Sequence, residues 1–229
     1  MAFASFFSKM NEIALLKLGH LLCLVYWLGG DLGVFYSSFY VVDEKRSVET
    51  RLATAKILFS LDMAPRISMP LILGFGVHLA ERMNMIHLPF DLVPITWALV
   101  GAWIALVLTV HFRKSSFTQR ILMPMDFWFR GVFIVLVLSW CGWEWLGAGE
   151  AVIDWAAWKL ALFALAVFCG LMVRIRLRPF GPAFARLKTG THDEGDNAAI
   201  RRALGGTRPY VVGIWVILLL ESALGVHLL

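Results

Sequence analysis

Lys17, His20 and Asp31 fall in one long apolar stretch of this sequence. Asp62, Arg66 and His78 fall in the next, and Glu144, Lys159 and Glu221 in later ones. An ionisable group inside a hydrocarbon layer costs at least about 2.5 kcal/mol at mid-span, so each needs a partner or a task. A pair of imidazoles offers a metal two nitrogen ligands. A nearby ammonium neutralises a buried anion, and a carboxylate can carry a proton. Thioethers add a second metal chemistry, because they suit Cu(I). The run Met83-Asn-Met85-Ile-His87 is the best local copper candidate, with Met63, Met69, Met123 and Met125 elsewhere. Other reactive patterns are missing: there is no H-E-x-x-H, no P-loop and no Ser-His-Asp order. Cys23, Cys141 and Cys169 form no close pair, which excludes a disulfide framework and a cysteine zinc site.

The elements that must position these groups are set by composition. Of 229 residues, 59% are hydrophobic and only 16% charged, against about 25% charged in an ordinary soluble domain. This excludes a soluble enzyme and a disordered tail. A helix crosses a bilayer with about 20 mostly apolar residues. Six such stretches are legible: Ile13–Tyr36, Ile57–Ala80, Leu92–Phe112, Trp128–Leu146, Trp155–Val173 and Tyr210–Leu228. They are too long for strands and lack the period-two alternation of a membrane barrel. The expected fold is therefore an all-α polytopic helical bundle with about six transmembrane helices and a single domain. The first stretch lacks a basic n-region and a small-residue cleavage site, so it is expected to be retained.

Charge gives an orientation. The loops after stretches one, three and five hold sixteen of the 21 basic residues, including Arg51, Arg113, Arg130, Arg176 and Arg202. Cytoplasmic loops are enriched in Lys and Arg, so those loops should be inside and both termini outside, in a bacterial inner membrane. The same distribution accounts for the net charge of +5 without nucleic acid as a partner. In the long inner loop from Arg174 to Arg208, a short helix is expected from Asp196 to Leu204. Asp196 would be its N-cap and Gly205-Gly206 its stop.

Within the first stretch, about 100° per residue puts His20, Trp27 and Asp31 within roughly 40° of one another, with Lys17 about 60° from His20. That stripe should face the interior, and Gly29 and Gly33 form a G-x-x-x-G pair that permits close helix approach. The second stretch, with Pro65, Pro70, Gly74 and Gly76, should be kinked. At about 1.5 Å per residue His20 is about 12 Å deep and His78 about 5 Å deep, both in the outer half. His111 and His227 sit at span ends, and His87 and His192 in loops. Two histidines on successive antiparallel helices are the arrangement a b-type haem needs, with Lys17 and Lys159 placed to neutralise its propionates. The 7 Å difference in depth counts against a symmetric pair unless the second helix is kinked.

The run Leu16-Lys17-Leu-Gly-His20, followed by Tyr26-Trp27-Leu-Gly29, resembles the K-x-x-H…W-x-G first helix of HemJ-type protoporphyrinogen oxidases and of the related copper-resistance D-type membrane domains. Trp155-Ala-Ala-Trp158-Lys159-Leu160-Ala-Leu162 is similar to their W-x-x-K-L-x-L helix. The resemblance implies a small helical membrane protein that binds haem b, with His20 an axial ligand and Lys159 at the haem. The expectation is an integral membrane haem b protein working in electron transfer or oxidoreduction, with quinone or a redox protein as partner. His20 and His78 are the expected iron ligands, and Lys17, Trp27, Arg66 and Lys159 the expected cofactor contacts. The competing expectations are copper transport and a non-catalytic subunit of a homo-oligomer or larger complex.

Overall fold

The chain is described by a computed structural model, which covers residues 2–88, 90–113, 115–147, 152–226 and 228. Eight α-helices follow one another among these residues: α1 (Ala2–Val42), α2 (Val48–Leu61), α3 (Met63–Arg82), α4 (Leu92–Phe112), α5 (Met123–Trp145), α6 (Asp154–Arg176), α7 (Phe180–Thr189) and α8 (Glu194–Gly225). A π-helical turn, Thr118–Leu122, leads into α5. The described residues form no strand, only one antiparallel bridge between Ile86 and Val152. Six segments are long and apolar enough to cross a membrane: Met10–Val42, Val48–Arg82, Leu92–Phe112, Arg120–Trp145, Asp154–Arg176 and Glu194–Gly225. The protein is an all-α, multi-pass membrane protein. Leu15, Leu21, Leu22, Val25, Val135 and Leu136 are among its large exposed apolar side chains, and that exposure suits a lipid neighbour.

Local chemistry explains several helix ends. Ser47 and Asp91 each accept a hydrogen bond from a backbone N–H in the first turn of α2 and α4, which is the role of an N-cap. Gly190 ends α7 at φ 71°, a conformation glycine adopts without strain. The long loop departs from its expectation in two ways. α7 occupies part of what reads as a connector. The N-cap of α8 is Asp193, in a capping box with Asp196, and the helix runs through Gly205-Gly206 to Gly225. Two glycines weaken a helix but do not stop one whose flanks are buried. The second span breaks at Asp62, between α2 and α3. Pro65 falls in the first turn of α3, where its missing N–H costs nothing.

The chain divides into two compact units, Met1–Trp27 with Arg66–Leu162, and Leu28–Pro65 with Phe163–Leu229. In the first, α1 meets α3 at Gly19, where an added Cβ would lie 2.6 Å from the Phe75 ring. Trp103, 1% exposed, packs edge-on to Phe129 with ring centroids 5.0 Å apart. Val152, Ala156 and Ala157 form a small core joined by Met85, Trp140 and Trp155.

The second unit has its own core of Val41, Ala55, Leu58, Phe180, Ala183, Leu187, Ile200, Ala203 and Leu204. Arg51, 2% exposed, ties the parts around it together. Its Nε donates to the Val41 carbonyl at 2.9 Å and its NH1 to Asn197 Oδ1 at 2.9 Å. Arg186 holds Asp196 through Nε, at 2.8 and 2.9 Å. The close approach of α1 in this unit is made by Gly30, whose Cβ would lie 2.6 Å from Pro65 Cδ, and by Gly33 against Leu61. Gly29, expected to share that role, meets nothing within 4 Å.

Candidate functional site

His20 stands on α1 against a turn of α3. Its Nδ1 is 3.1 Å from the Ile72 carbonyl oxygen. A carbonyl only accepts, so Nδ1 carries the proton and Nε2 keeps the lone pair. Gly76, one turn after Ile72, makes room for the ring: a Cβ there would be 3.1 Å from His20 Cε1. The ammonium of Lys159 on α6 is an electrostatic neighbour of this imidazole. It also lies 4.9 Å from the centroid of the Trp155 ring, within cation–π range. His20, Lys159 and Trp155 thus gather from α1 and α6 over the Ile72–Gly76 face of α3.

His78 belongs to a different network. Trp97 Nε1 on α4 donates to His78 Nδ1 at 3.4 Å, which leaves the proton on Nε2. That nitrogen faces Glu12 Oε1 at 3.4 Å, and the same carboxylate oxygen accepts from Arg82 Nε at 2.8 Å. Two positions separate His78 from Gly76, about 200° of helix rotation. His78 therefore leaves α3 on another side from the face His20 contacts. The neighbours of His20 are Ile72, Gly76 and Lys159; those of His78 are Glu12 and Trp97.

The remaining expected residues divide by burial. Trp27 is 3% exposed and Asp31 is buried, whereas Lys17, on the same stripe, is exposed. Arg66 is half-buried. Glu144 is buried and accepts from Trp140 Nε1 at 2.9 Å. His111 packs edge-on to Phe112, and His227 lies outside the described residues. Of the copper candidates, Met85 packs into the Val152–Ala157 core, and the Met69 sulfur accepts from Arg130 NH1 at 3.5 Å. No group of three or more His, Cys, Asp or Glu side chains able to hold a metal ion occurs among the described residues.

One buried polar group was not expected. Arg130 reads as a loop charge, yet it lies inside α5 with its side chain 4% exposed. It donates to Asp126 Oδ1 at 3.3 Å, one turn earlier, and sits 5.1 Å over the Trp103 ring. The signal available in sequence is the Asp126-x-x-x-Arg130 spacing, which places opposite charges on one helix face.

No family model, no curated protein and no solved structure matches the chain.

Proposed function

We propose that the chain is an integral membrane b-type haem protein of a bacterial inner membrane, with both ends outside, that works in electron transfer or oxidoreduction. The observation that carries the reading is the His20 imidazole. Its Nδ1 is anchored on a backbone carbonyl, which is how metal-binding histidines are usually oriented while Nε2 takes the metal. Lys159 supplies a cation beside it, suited to a propionate. A haem would add redox chemistry; the protein side would orient the ligand and screen the anionic edge. Trp27 and Arg66 are the next residues assigned to the cofactor, and Lys17 a propionate contact from the exposed side. A quinone or a redox protein is the proposed electron partner.

His78 is the proposed second ligand, and it meets a condition there. To present a nitrogen to iron it must give up Trp97 or Glu12. The fit of the residues present is therefore good at His20 and poor at His78. The test is a visible spectrum of the purified protein before and after dithionite. A reduced b-type α-band that is lost in His20→Ala is expected. A colourless, folded preparation without iron would sink the reading, and copper in place of iron would promote the transport alternative. In His78→Ala, loss of the low-spin band with haem retained would assign the second ligand, whereas an unchanged spectrum would remove His78 from the iron.

A further inference from the structure

The histidines at positions 20 and 78 are fixed in opposite tautomers. The Ile72 carbonyl only accepts, so it keeps the His20 proton on Nδ1 and leaves the Nε2 lone pair open. An indole N–H only donates. Trp97 Nε1, 3.4 Å from His78 Nδ1, requires the lone pair there and puts the His78 proton on Nε2. A ring nitrogen that carries its proton has no lone pair for a metal. His78 is thus blocked at the nitrogen that His20 keeps open.

Two further sets of contacts secure that state. Trp97 is fixed in place: its ring stands edge-on to Phe75 with centroids 5.1 Å apart. It also fills the space over Gly74, where an added Cβ would lie 3.2 Å from Trp97 Cζ3. On the other side of the imidazole, Glu12 Oε1 faces Nε2 at 3.4 Å. The Nε2 atom is buried, so bulk water does not compete for its proton. The same Oε1 accepts from Arg82 Nε at the shorter distance of 2.8 Å. A charge-assisted bond of that length takes the larger share of the oxygen, so Arg82 loosens the hold of Glu12 on His78.

We propose, resting on the haem reading above, that Trp97 and Glu12 are positioning residues that hold His78 in the tautomer unable to take a metal through Nε2. His78 is then an exchangeable ligand and His20 a permanent one. A haem held by one histidine keeps a position open to a small diatomic ligand, and a haem held by two does not. The Trp97–His78–Glu12 network therefore regulates how readily such a ligand enters.

The test is carbon monoxide binding to the purified full chain after dithionite, followed in the visible spectrum. The wild type is expected to hold a mixture of high-spin and low-spin haem. Trp97→Phe keeps a ring beside Phe75 but removes the N–H. It is expected to raise the low-spin share and to slow carbon monoxide binding by about fivefold, the worth of one hydrogen bond. Glu12→Met should act in the same direction, and it carries the test if Trp97→Phe does not fold. Arg82→Met leaves Glu12 to His78 alone and should act in the opposite direction, whereas a purely structural network would move all three variants together. In a His78→Ala background the three effects should vanish. Unchanged binding in Trp97→Phe and Glu12→Met, or an effect that persists without His78, would overturn the proposal and leave haem at His20 standing. A colourless preparation would overturn both.

Discussion

His20 and Arg130 show what single residues reveal of themselves in a membrane sequence. His20 was legible because a histidine inside an apolar run, on a stripe with Trp27 and Asp31, has no inexpensive place to be except the interior. What could not be read was its tautomer, which depends on the Ile72 carbonyl of another helix. Arg130 was misplaced for a physical reason. It counts among the loop charges although the fourth stretch reads from Trp128, two residues before it; the π-turn and Pro124 start the helix five residues earlier still, which puts Arg130 two turns inside α5. Removing one member of a buried pair leaves a bare charge and costs about 3–5 kcal/mol. Arg130→Met is therefore expected to lower the thermal midpoint in detergent sharply. Asp126→Asn/Arg130→Met, which removes both charges, should recover much of that loss. Equal midpoints for the single and double variants would show that the pair does not act as a pair.

Among elements, the six spans were readable and their ends were not. Apolar length fixes a span, but an end is decided by caps and by whatever tertiary core continues past the membrane. α8 illustrates this: Leu204 and Thr207, on either side of its Gly205-Gly206 pair, are buried, so the helix passes through the place where local propensity would stop it. α1 makes the same point in reverse. The G-x-x-x-G frame correctly marks a close approach, but Gly30 is the residue in contact. Gly30→Ala must push against Pro65 and Ala64, an overpacking that costs about 1–3 kcal/mol. Gly29→Ala should be neutral or slightly stabilising, since alanine is the better helix former. A thermal-shift series of the two variants checks the assignment, and equal effects would refute it.

For the whole molecule, the number of spans is legible in the sequence and the packing at their ends is not. Met10–Val42, Val48–Arg82 and Glu194–Gly225 have 33, 35 and 32 residues, about 48–52 Å of helix against roughly 30 Å of hydrocarbon. The excess is not loose. Val41, Ala55, Leu58, Leu187, Ile200 and Leu204 close a core of their own, which no amphipathic pattern in one segment announces because three helix ends and α7 share it. Under the proposed topology that core lies on the cytoplasmic side. The chain's three cysteines, Cys23, Cys141 and Cys169, are buried, so introduced thiols can be read cleanly. Lys45→Cys and Lys188→Cys should label from the same face of sealed vesicles, and Met83→Cys from the other. Labelling of Lys45→Cys and Met83→Cys from one face would undo the topology.

The core formed by Val41, Ala55 and Leu58 with Ile200, Ala203 and Leu204 also sets an order of assembly. Its two halves are more than 140 positions apart in the chain, and contacts of such separation form late because the intervening loop must first be closed. During synthesis α2 would stand with an uncovered apolar face while three further spans are made, until α7 and the start of α8 reach it. Arg51 would wait with it, since Asn197, the acceptor for its NH1, comes with the last helix. The final span thus completes more than a membrane crossing: it delivers the lid of a small domain begun at the first turn.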